Sequence, residues 1–300
     1  MPKINPFFIL IIGAIAIAFS PIFVRFSDVD PIMTAFYRIF ISLPFFLFFS
    51  SFNIIEKVKF PEFNNSYVIF LVSGIFFALD LICWHWSIKL TTVSKATFLS
   101  NLAPIVVIIF SLIFLKERFS KFFYLAALLS MVGMLMLLGE SFKFNKSQFI
   151  GDLLGVLTAV WYGSYIVTIS QLRKKYNSTS IMFLSGIVTA IILLTVSILF
   201  EQSLIPQSLF TITIIFLLGF ICQFMGQSFI TYSLAYLSAS LSSLCLLIQP
   251  IAATVLAYFF FQEKLTTIQF FGSALILIGI YIARTKYELS LIHISEPTRR

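Results

Sequence analysis

The chain has 300 residues, of which 60% are hydrophobic and 11% are charged, and its mean hydropathy is +1.03. A soluble protein of this length needs far more polar surface, so the composition excludes the soluble globular class and predicts a membrane protein. The net charge of +8 is carried by Lys and Arg in short connections, which indicates membrane orientation and argues against a nucleic-acid partner.

Ten apolar segments follow one another along the chain. About 20 apolar residues cross a bilayer, and on this criterion we predict ten transmembrane helices at residues 7–26, 31–50, 66–88, 93–115, 120–138, 150–170, 180–200, 209–231, 237–260 and 267–283. The connections are short and leave no room for a soluble domain. The predicted fold class is therefore an all-α polytopic membrane protein.

The fourth and ninth segments each contain a proline well inside apolar sequence, Pro104 and Pro250. A proline at such a position removes a backbone hydrogen bond and bends or breaks the helix. Membrane proteins accept these breaks where neighbouring groups or a cavity satisfy the freed carbonyl groups, and transporters place binding sites at them. We predict that helices 4 and 9 bend near the membrane centre and face a shared cavity.

One sequence pattern occurs twice, 146 residues apart. This shift superimposes Ser87 on Ser233, Ser94 on Ser240, Pro104 on Pro250, Glu117 on Glu263, Arg118 on Lys264 and Gly133 on Gly279. Solenoid repeats are roughly 20–50 residues long, so the longer period fits the two halves of a transporter better. The predicted repeats, 7–139 and 148–286, each contain five helices, an odd number, so the second repeat is inverted in the membrane around a central cavity.

The orientation follows from the distribution of Lys and Arg. With the N-terminus in the cytoplasm, eleven of these residues fall on the cytoplasmic side and six on the other side. Because positive charge is retained on the cytoplasmic side, we predict that both termini are cytoplasmic.

The last residues of the chain have a separate origin. Leu289 to Arg299 reads LSLIHISEPTR, which is the translation of DNA that resembles a transposase sequencing adapter. We interpret residues 289–300 as an artefact with no part in function. This interpretation leaves His85 as the histidine to consider for function.

Two charged side chains, Arg38 and Asp80, lie within predicted spans. At 1.5 Å per residue, both lie roughly 10–12 Å below the outer membrane edge. A lone charge at this depth is costly, so we predict that the two residues are partners. Two interpretations stay open: a substrate or proton site, and a structural ion pair that joins helices 2 and 3.

His85 lies between Trp84 and Trp86, five residues after Asp80. On an ideal helix this spacing directs Asp80 and His85 about 140° apart. His85 is a candidate for proton coupling together with Asp80, because an imidazole titrates near neutral pH. The alternative, which the two Trp neighbours favour, places it in the aromatic belt at the membrane interface.

Amide side chains lie near mid-membrane at Asn101, Gln223, Gln227 and Gln249. They either line the cavity and bind a polar substrate or form hydrogen bonds between helices. Gln223 and Gln227 are four residues apart and share a helix face, which favours the cavity.

Aromatic side chains in the sixth span are further candidates for substrate binding. Trp161 and Tyr165 share one face of that helix. They either stack on a planar substrate or pack against neighbouring helices, which is the more common role of aromatic residues at helical spacing.

Paired motifs in the two halves resemble the drug/metabolite transporter superfamily in its ten-helix EamA-type branch. The first is Asn101-Leu102-Ala103-Pro104 with Glu117-Arg118, and the second is Gln249-Pro250 with Glu263-Lys264. The resemblance covers about residues 7 to 286. It implies a basket of ten helices around a central cavity and export of small metabolites across the bacterial cytoplasmic membrane.

We therefore expect a secondary transporter that exports amino acids or other small metabolites by alternating access. An importer or facilitator is the alternative within transport, and a membrane-embedded enzyme or a scaffold or receptor subunit are alternatives from other classes. The sequence has no nucleotide-binding glycine loop, metal-ligand cluster or Ser/His/Asp set, so no cofactor, metal or catalytic residue is expected. The expected partners are a small-molecule substrate and the lipid bilayer, with a monomer or homodimer as the assembly.

Overall fold

The computed structural model describes residues 5–61, 66–138, 146–262 and 266–295, and across these residues the chain is helical, with no β-strand. The ten long helices, several of them built from consecutive segments, have the following bounds: helix 1, Pro6–Ala18 and Ser20–Phe26; helix 2, Pro31–Ser51; helix 3, Ser66–Leu90; helix 4, Val93–Ser100, Ala103–Phe110 and Ser111–Leu115; helix 5, Lys121–Leu138; helix 6, Phe149–Leu172; helix 7, Ser178–Phe200; helix 8, Leu209–Leu217, Leu218–Gln227 and Ser228–Ser233; helix 9, Ala239–Cys245 and Ile248–Phe261; helix 10, Thr267–Ser295.

The predicted ten-helix membrane fold is confirmed. In the described part of the chain, nine helices are long and apolar enough to cross a bilayer, and Lys121–Leu137 is a shorter apolar helix. The predicted bounds agree with the observed ones to within two residues, except that helix 10 continues to Ser295. Side chains from 286 onward and all of 296–300 lie outside the described residues, so the interpretation of 289–300 as an artefact stays a prediction.

Polar residues in the connections set where several helices begin. The side chain of Asn5 accepts a hydrogen bond from the backbone of Phe7, and Asn177, Ser208 and Ser238 cap helices 7, 8 and 9 in the same way. Such caps satisfy backbone N–H groups that have no partner inside the helix. The short polar turns therefore end one helix and begin the next.

The helix pairs are related by exchange of the two halves. Helix 3 packs against helix 6, and helix 8 packs against helix 1, while helix 2 packs on helix 7 and helix 5 on helix 10. Exchanging the first five helices with the last five converts the 3–6 pair into the 8–1 pair and maps the 2–7 and 5–10 pairs onto themselves. The fold is therefore a two-fold inverted repeat in three dimensions as well as in sequence.

Equivalent residues of the two halves also make equivalent local structure. Lys116 ends helix 4 and Gln262 ends helix 9, and both have left-handed backbone conformation, with φ of 54° and 56°. The Ser87 hydroxyl donates to the carbonyl oxygen of Gly151 at the start of helix 6, at 2.7 Å. Its counterpart Ser233 donates to the carbonyl oxygen of Pro6 at the start of helix 1, at 2.9 Å.

Helices 5 and 10 cross where small residues allow close approach. A Cβ atom added to Gly133 would lie 2.5 Å from the carbonyl oxygen of Gly272, and one added to Gly272 would lie 2.6 Å from that of Gly133. Without a side chain at either position, the two backbones come into direct contact.

Candidate functional site

A central cavity of about 90 Å³ lies between helices 1, 2, 3, 4, 6, 8 and 9. Helices from both repeats therefore form its wall. Six of the predicted site residues line it: Arg38, Asp80, Asn101, Gln227, Gln249 and Pro250. A neighbouring cavity of about 20 Å³ is lined by Pro104. Asn101, Tyr162 and Gln249 line both cavities.

The predicted breaks in helices 4 and 9 are present, and they meet at these cavities. Helix 4 is interrupted after Ser100 and resumes at Ala103, and helix 9 is interrupted after Cys245 and resumes at Ile248. Each interruption precedes its proline by two to four residues, because a proline ring clashes with the carbonyl group four residues earlier. Pro250 lines the central cavity and Pro104 the adjoining one.

Helix 1 has a third break, which the sequence interpretation missed. Its two segments meet at Phe19, and Pro21 occupies the first turn of the second segment. The signal was available, because Pro21 lies inside an apolar span in the same way as Pro104. The break brings Ser20 and Pro21 to the cavity wall.

Arg38 is a buried arginine, 4% exposed, that lines the cavity from helix 2. Its Nε donates to Oε1 of Gln223 and its Nη1 donates to Oγ of Ser20, both at 3.1 Å. These partners are neutral, so they orient the guanidinium group without neutralising its charge.

Helix 2 is tied to helix 7 at both membrane faces, which fixes the position of Arg38. Where helix 2 begins, the backbone N–H groups of Ile32 and Met33 donate to the Glu201 carboxylate, both at 2.7 Å. Where helix 2 has ended, the backbone N–H of Lys59 donates to the Ser180 hydroxyl at 2.7 Å. These contacts hold helix 2, and with it Arg38, against helix 7.

Asp80 lines the same cavity from helix 3 and is 6% exposed. Within the described residues its carboxylate has neither a hydrogen bond nor an ion pair, whereas Lys89 pairs with Asp30 at 3.6 Å and Lys95 pairs with Asp152 at 3.4 Å. Arg38 and Asp80 therefore do not form the direct ion pair that was one of the two interpretations, and their joint role in the cavity stays a prediction. The two charges share one cavity and each faces it without a charged partner within 4.0 Å.

The predicted amides have different environments. Gln223 bonds to Arg38 and so joins helix 8 to helix 2, while Asn101 donates to the carbonyl oxygen of Thr97 in its own helix at 2.7 Å. Both amide atoms of Gln227 and Nε2 of Gln249 are buried and have no hydrogen bond to the described chain. Since a buried polar group without a partner is costly, Gln227 and Gln249 are the amides that can bind a substrate or water.

Helix 8 has a conformation that no sequence pattern predicted. Leu218–Gln227 is a π-helix of ten residues, with Gln223 in its middle and Gln227 at its end. It packs closely on neighbouring helices at two glycines: Gly219 faces Ile41 of helix 2, and Gly226 faces Ile17 of helix 1. A π-helical segment changes the direction of side chains and is frequent at functional sites.

The aromatic residue of helix 6 that reaches the cavity is Tyr162. Trp161 stacks on Phe76 with ring centres 5.8 Å apart, and Tyr165 is fully buried and stacks on Phe77 at 4.5 Å. In this conformation Trp161 and Tyr165 therefore pack between helices. The hydroxyl groups of Tyr162 and Tyr165 lie beside the Gln227 amide, without hydrogen-bonding geometry.

His85 is fully buried, which corrects its assignment to the aromatic belt. Its Nδ1 lies 2.7 Å from the carbonyl oxygen of Leu81, and its Nε2 is buried without a hydrogen bond to the described residues. Trp84 makes an edge contact with the ring at 4.9 Å. The cavity wall includes Asp80, Leu81 and Trp84 of this helix but not His85, in agreement with the predicted 140° separation.

A larger cavity of about 350 Å³ lies at the membrane face where helix 1 begins. It is lined by the ends of helices 4 and 6 and the connection between helices 8 and 9. There the Ser240 hydroxyl donates to Oε2 of Glu117 at 2.9 Å, which joins the end of helix 4 to the start of helix 9. Burial raises the pKa of Glu117, and the hydrogen bond from Ser240 opposes this shift.

Comparisons with known proteins assign a family. The model of the EamA-like transporter family matches residues 5–139 and again 149–285. The pseudopaline exporter CntI of Pseudomonas aeruginosa is 26% identical over 217 residues, which cover 72% of this chain and 75% of that protein. An uncharacterized transporter of Archaeoglobus fulgidus is 25% identical over 278 residues, which cover 91% of this chain and 94% of that protein. A solved crystal structure has the same fold, with a TM-score of 0.77 at 19% identity, covering 93% of this chain and 94% of that chain.

Both halves of the chain thus match one transporter family, and their broken helices meet at a cavity whose wall carries Arg38, Asp80 and three amide side chains. The protein belongs to the EamA-like transporter family of the drug/metabolite transporter type and is a multi-pass membrane transporter.

Proposed function

We propose that the protein exports amino acids or other small metabolites across the cytoplasmic membrane by alternating access. The observation that carries the proposal is the central cavity, which joins two buried charges of opposite sign to unpartnered amides in otherwise apolar sequence. Buried charges inside a membrane segment are costly and mark substrate or ion pathways. The volume of about 90 Å³ is below the roughly 300–1,000 Å³ of pockets for drug-sized ligands, which favours a small substrate.

The inverted repeat supports alternating access. The exchange of the halves relates the 3–6 helix pair to the 8–1 pair, and this symmetry supports a second conformation in which the two membrane faces exchange roles. We assign the repeats to residues 7–139 and 148–286.

Export and orientation rest on two further observations. Lys and Arg are more numerous on the side of the N-terminus, which supports cytoplasmic termini. One relative is named as an exporter of pseudopaline. We infer the same direction of transport for this chain, with a substrate that is still to be identified.

We assign proton coupling to Asp80 rather than to His85. Asp80 reaches the cavity, so a proton and a substrate can compete for its carboxylate, whereas His85 does not contact the cavity wall. A proton and a cationic group of the substrate are therefore alternative partners for this carboxylate, since an isolated charge at this depth is costly.

The test is a metabolite efflux screen in cells with and without the gene, followed by flux measurements in proteoliposomes. Export predicts that the substrate accumulates outside expressing cells and that flux in proteoliposomes responds to an imposed pH gradient. Accumulation inside the cells indicates an importer, and flux that only follows the substrate gradient indicates a facilitator. A scaffold or an enzyme predicts no flux, and an enzyme also predicts chemical conversion of the substrate.

A further inference from the structure

We propose that Glu117 and Ser240 form a latch that closes the cytoplasmic end of the transport path, and that breaking their hydrogen bond admits substrate from the cytoplasm. The inference rests on the proposed transport function and its orientation, and it names the contact that controls access to the central cavity. It starts from three cavities that follow one another along helices 4, 6 and 9.

One face of helix 6 runs past all three cavities. Tyr162 lines the central cavity and also the small cavity of about 20 Å³, which Ile166 lines as well. Ser170 lines the large cavity of about 350 Å³, at the membrane face where helix 1 begins. These three residues are four apart, about one helical turn, so they lie on the same face of the helix. The proposed orientation makes the large cavity cytoplasmic, so the cavities mark a path from the cytoplasm to the central cavity.

Helix 9 meets the cavities in the same order. Gln249 lines the central cavity, Ser243 the small cavity and Ala239 the large cavity. The first segment of helix 9, Ala239–Cys245, therefore lies between the large cavity and the other two. All of its residues are buried, and it packs against the second segment of helix 4 and against helix 6. This packing interrupts the path on its cytoplasmic side.

The equivalent segments in the outer half are arranged differently. Exchange of the two halves relates the first segments of helices 4 and 9 to each other, and likewise their second segments. Among the described residues, the first segment of helix 4 makes no comparable contact with the second segment of helix 9, and its Thr97 and Ser100 line the central cavity. The structure is therefore closed on the side where helix 1 begins and less tightly packed on the opposite side.

The latch lies where the closed region borders the large cavity. Ser240 is fully buried in the first turn of helix 9, after the cap at Ser238, and its hydroxyl donates to Oε2 of Glu117 at 2.9 Å. A left-handed turn at Lys116 and a hydrogen bond from the Glu117 backbone N–H to the carbonyl oxygen of Ser111, at 3.1 Å, fix the position of the acceptor. Among the described residues, the latch is the hydrogen bond that joins the first segment of helix 9 to helix 4.

The chemistry of the latch suits a contact that is made and broken. A hydrogen bond to a carboxylate is stronger than one between neutral groups, but it is a single bond. Glu117 is half-buried and lines the large cavity together with Lys174, so water or Lys174 can replace Ser240 as the partner of the carboxylate. The sequence repeat carries the same two residue types at the equivalent positions, Ser94 and Glu263, of which Glu263 lies outside the described residues.

The experiment measures whether a thiol placed behind the latch can be reached from each membrane face. Ser243→Cys exchanges one oxygen for sulfur at a residue that is 1% exposed and lines the small cavity. A charged, membrane-impermeant thiol reagent is applied to inside-out and right-side-out vesicles that contain the full chain. Mass spectrometry of the peptides measures labelling at position 243 separately from the buried Cys83, Cys222 and Cys245.

Changes at the latch are compared in the Ser243→Cys background. Ser240→Ala removes the donor, and we expect labelling from the cytoplasmic side to rise about tenfold or more, the factor for one hydrogen bond to a charged group, with no rise from the outside. Glu117→Gln keeps an oxygen that accepts a weaker hydrogen bond and should give a smaller rise. Ser240→Thr keeps the hydroxyl and should stay at the low level. Ser242→Ala is the matched control, because this buried serine of the same segment has no hydrogen bond to the described residues.

The latch is overturned if Ser240→Ala and Ser242→Ala are labelled to the same extent, or if labelling rises equally from both faces, which indicates general loosening. Melting curves of the purified variants show whether each one folds, and Glu117→Gln provides the test if Ser240→Ala does not. Labelling requires no transported substrate, so the latch and the transport function can fail separately. If the wild type moves a solute while the latch variants are labelled like the wild type, the latch fails and the transport function stands. If no solute moves under any gradient, the proposed function itself fails.

Discussion

Nε of Arg38 on helix 2 donates a hydrogen bond to Oε1 of Gln223 on helix 8, with 3.1 Å between the two atoms. The bond connects the first repeat to the second. Gln223 and Gln227 are four residues apart but have different roles. Gln223 joins two helices, whereas Gln227 lines the cavity and has no hydrogen bond to the described chain.

The two glutamines should therefore respond differently to the same substitution. Gln223→Leu should lower stability by about 0.6–1.7 kcal/mol, the range for hydrogen bonds between membrane helices. Gln227→Leu should leave stability unchanged or raise it, since it removes a buried amide without a partner, and it should reduce transport. Denaturant titration of the purified proteins and proteoliposome flux measure the two effects. Equal stability losses would contradict the separate roles.

The proline breaks should affect transport more than stability. In Pro104→Ala and Pro250→Ala the new N–H group restores the missing hydrogen bond, so the purified protein should melt at the same or a higher temperature. Initial transport rates should fall, because helices 4 and 9 no longer open toward the cavity. Pro44→Ala is the control, since Pro44 lies inside helix 2 but is exposed on the outer surface of the bundle. Equal effects of all three changes would show that the breaks have no specific role.

The crossing of helices 5 and 10 should tolerate no side chain at Gly133. Gly133→Ala places a Cβ atom 2.5 Å from the carbonyl oxygen of Gly272, a backbone atom that cannot move independently. We expect a loss of about 1–3 kcal/mol, typical of overpacking. Gly186→Ala is the matched control, because its nearest neighbour would be Cδ2 of Leu43 at 3.0 Å, the end of a flexible side chain. Denaturant titration should show no comparable loss in the control.

The stabilisation that Asp30 provides in the connection before helix 2 should be lost at acid pH. The backbone N–H groups of Ser203 and Gln202 donate to the Asp30 carboxylate, both at 3.0 Å. The hydrogen bond from Ser203 is the main cause that lowers the pKa of Asp30 below its ordinary value of 3.8, and the nearby Lys89 acts in the same direction. A lowered pKa means that the folded state favours the ionised form. The stabilisation is therefore fully present above pH 3.8 and is lost as the pH falls through the lower folded-state value.

Melting temperatures between pH 6 and pH 3 test this expectation. Asp30→Asn should be less stable than the wild type at pH 6, and the difference should shrink toward pH 3. Asp28→Asn, in the same connection, is the control for a general effect of removing a carboxylate. A constant difference between wild type and Asp30→Asn across the range would contradict the role of the ionised group.

Local sequence determined the number of helices, their bounds apart from the end of helix 10, and the breaks before Pro104 and Pro250. The length of each apolar run is a property of adjacent residues, and Pro104 and Pro250 act on carbonyl groups four residues away, so no tertiary information is needed for either. The 146-residue shift likewise predicts the inverted repeat, which appears in the matched hydrogen bonds of Ser87 and Ser233.

Tertiary structure decided which side chains meet. Lipid-facing and interior-facing surfaces of a membrane helix are both apolar, so sequence carries little signal about the face that a residue occupies. Trp161 and Tyr165 therefore pack while Tyr162 lines the cavity, and His85 is buried away from it. The predicted spans place Arg38 and Asp80 at the same depth in the membrane. Whether their side chains touch depends on how helices 2, 3 and 8 pack. That packing directs Arg38 to Ser20 and Gln223 and leaves Asp80 open to the cavity.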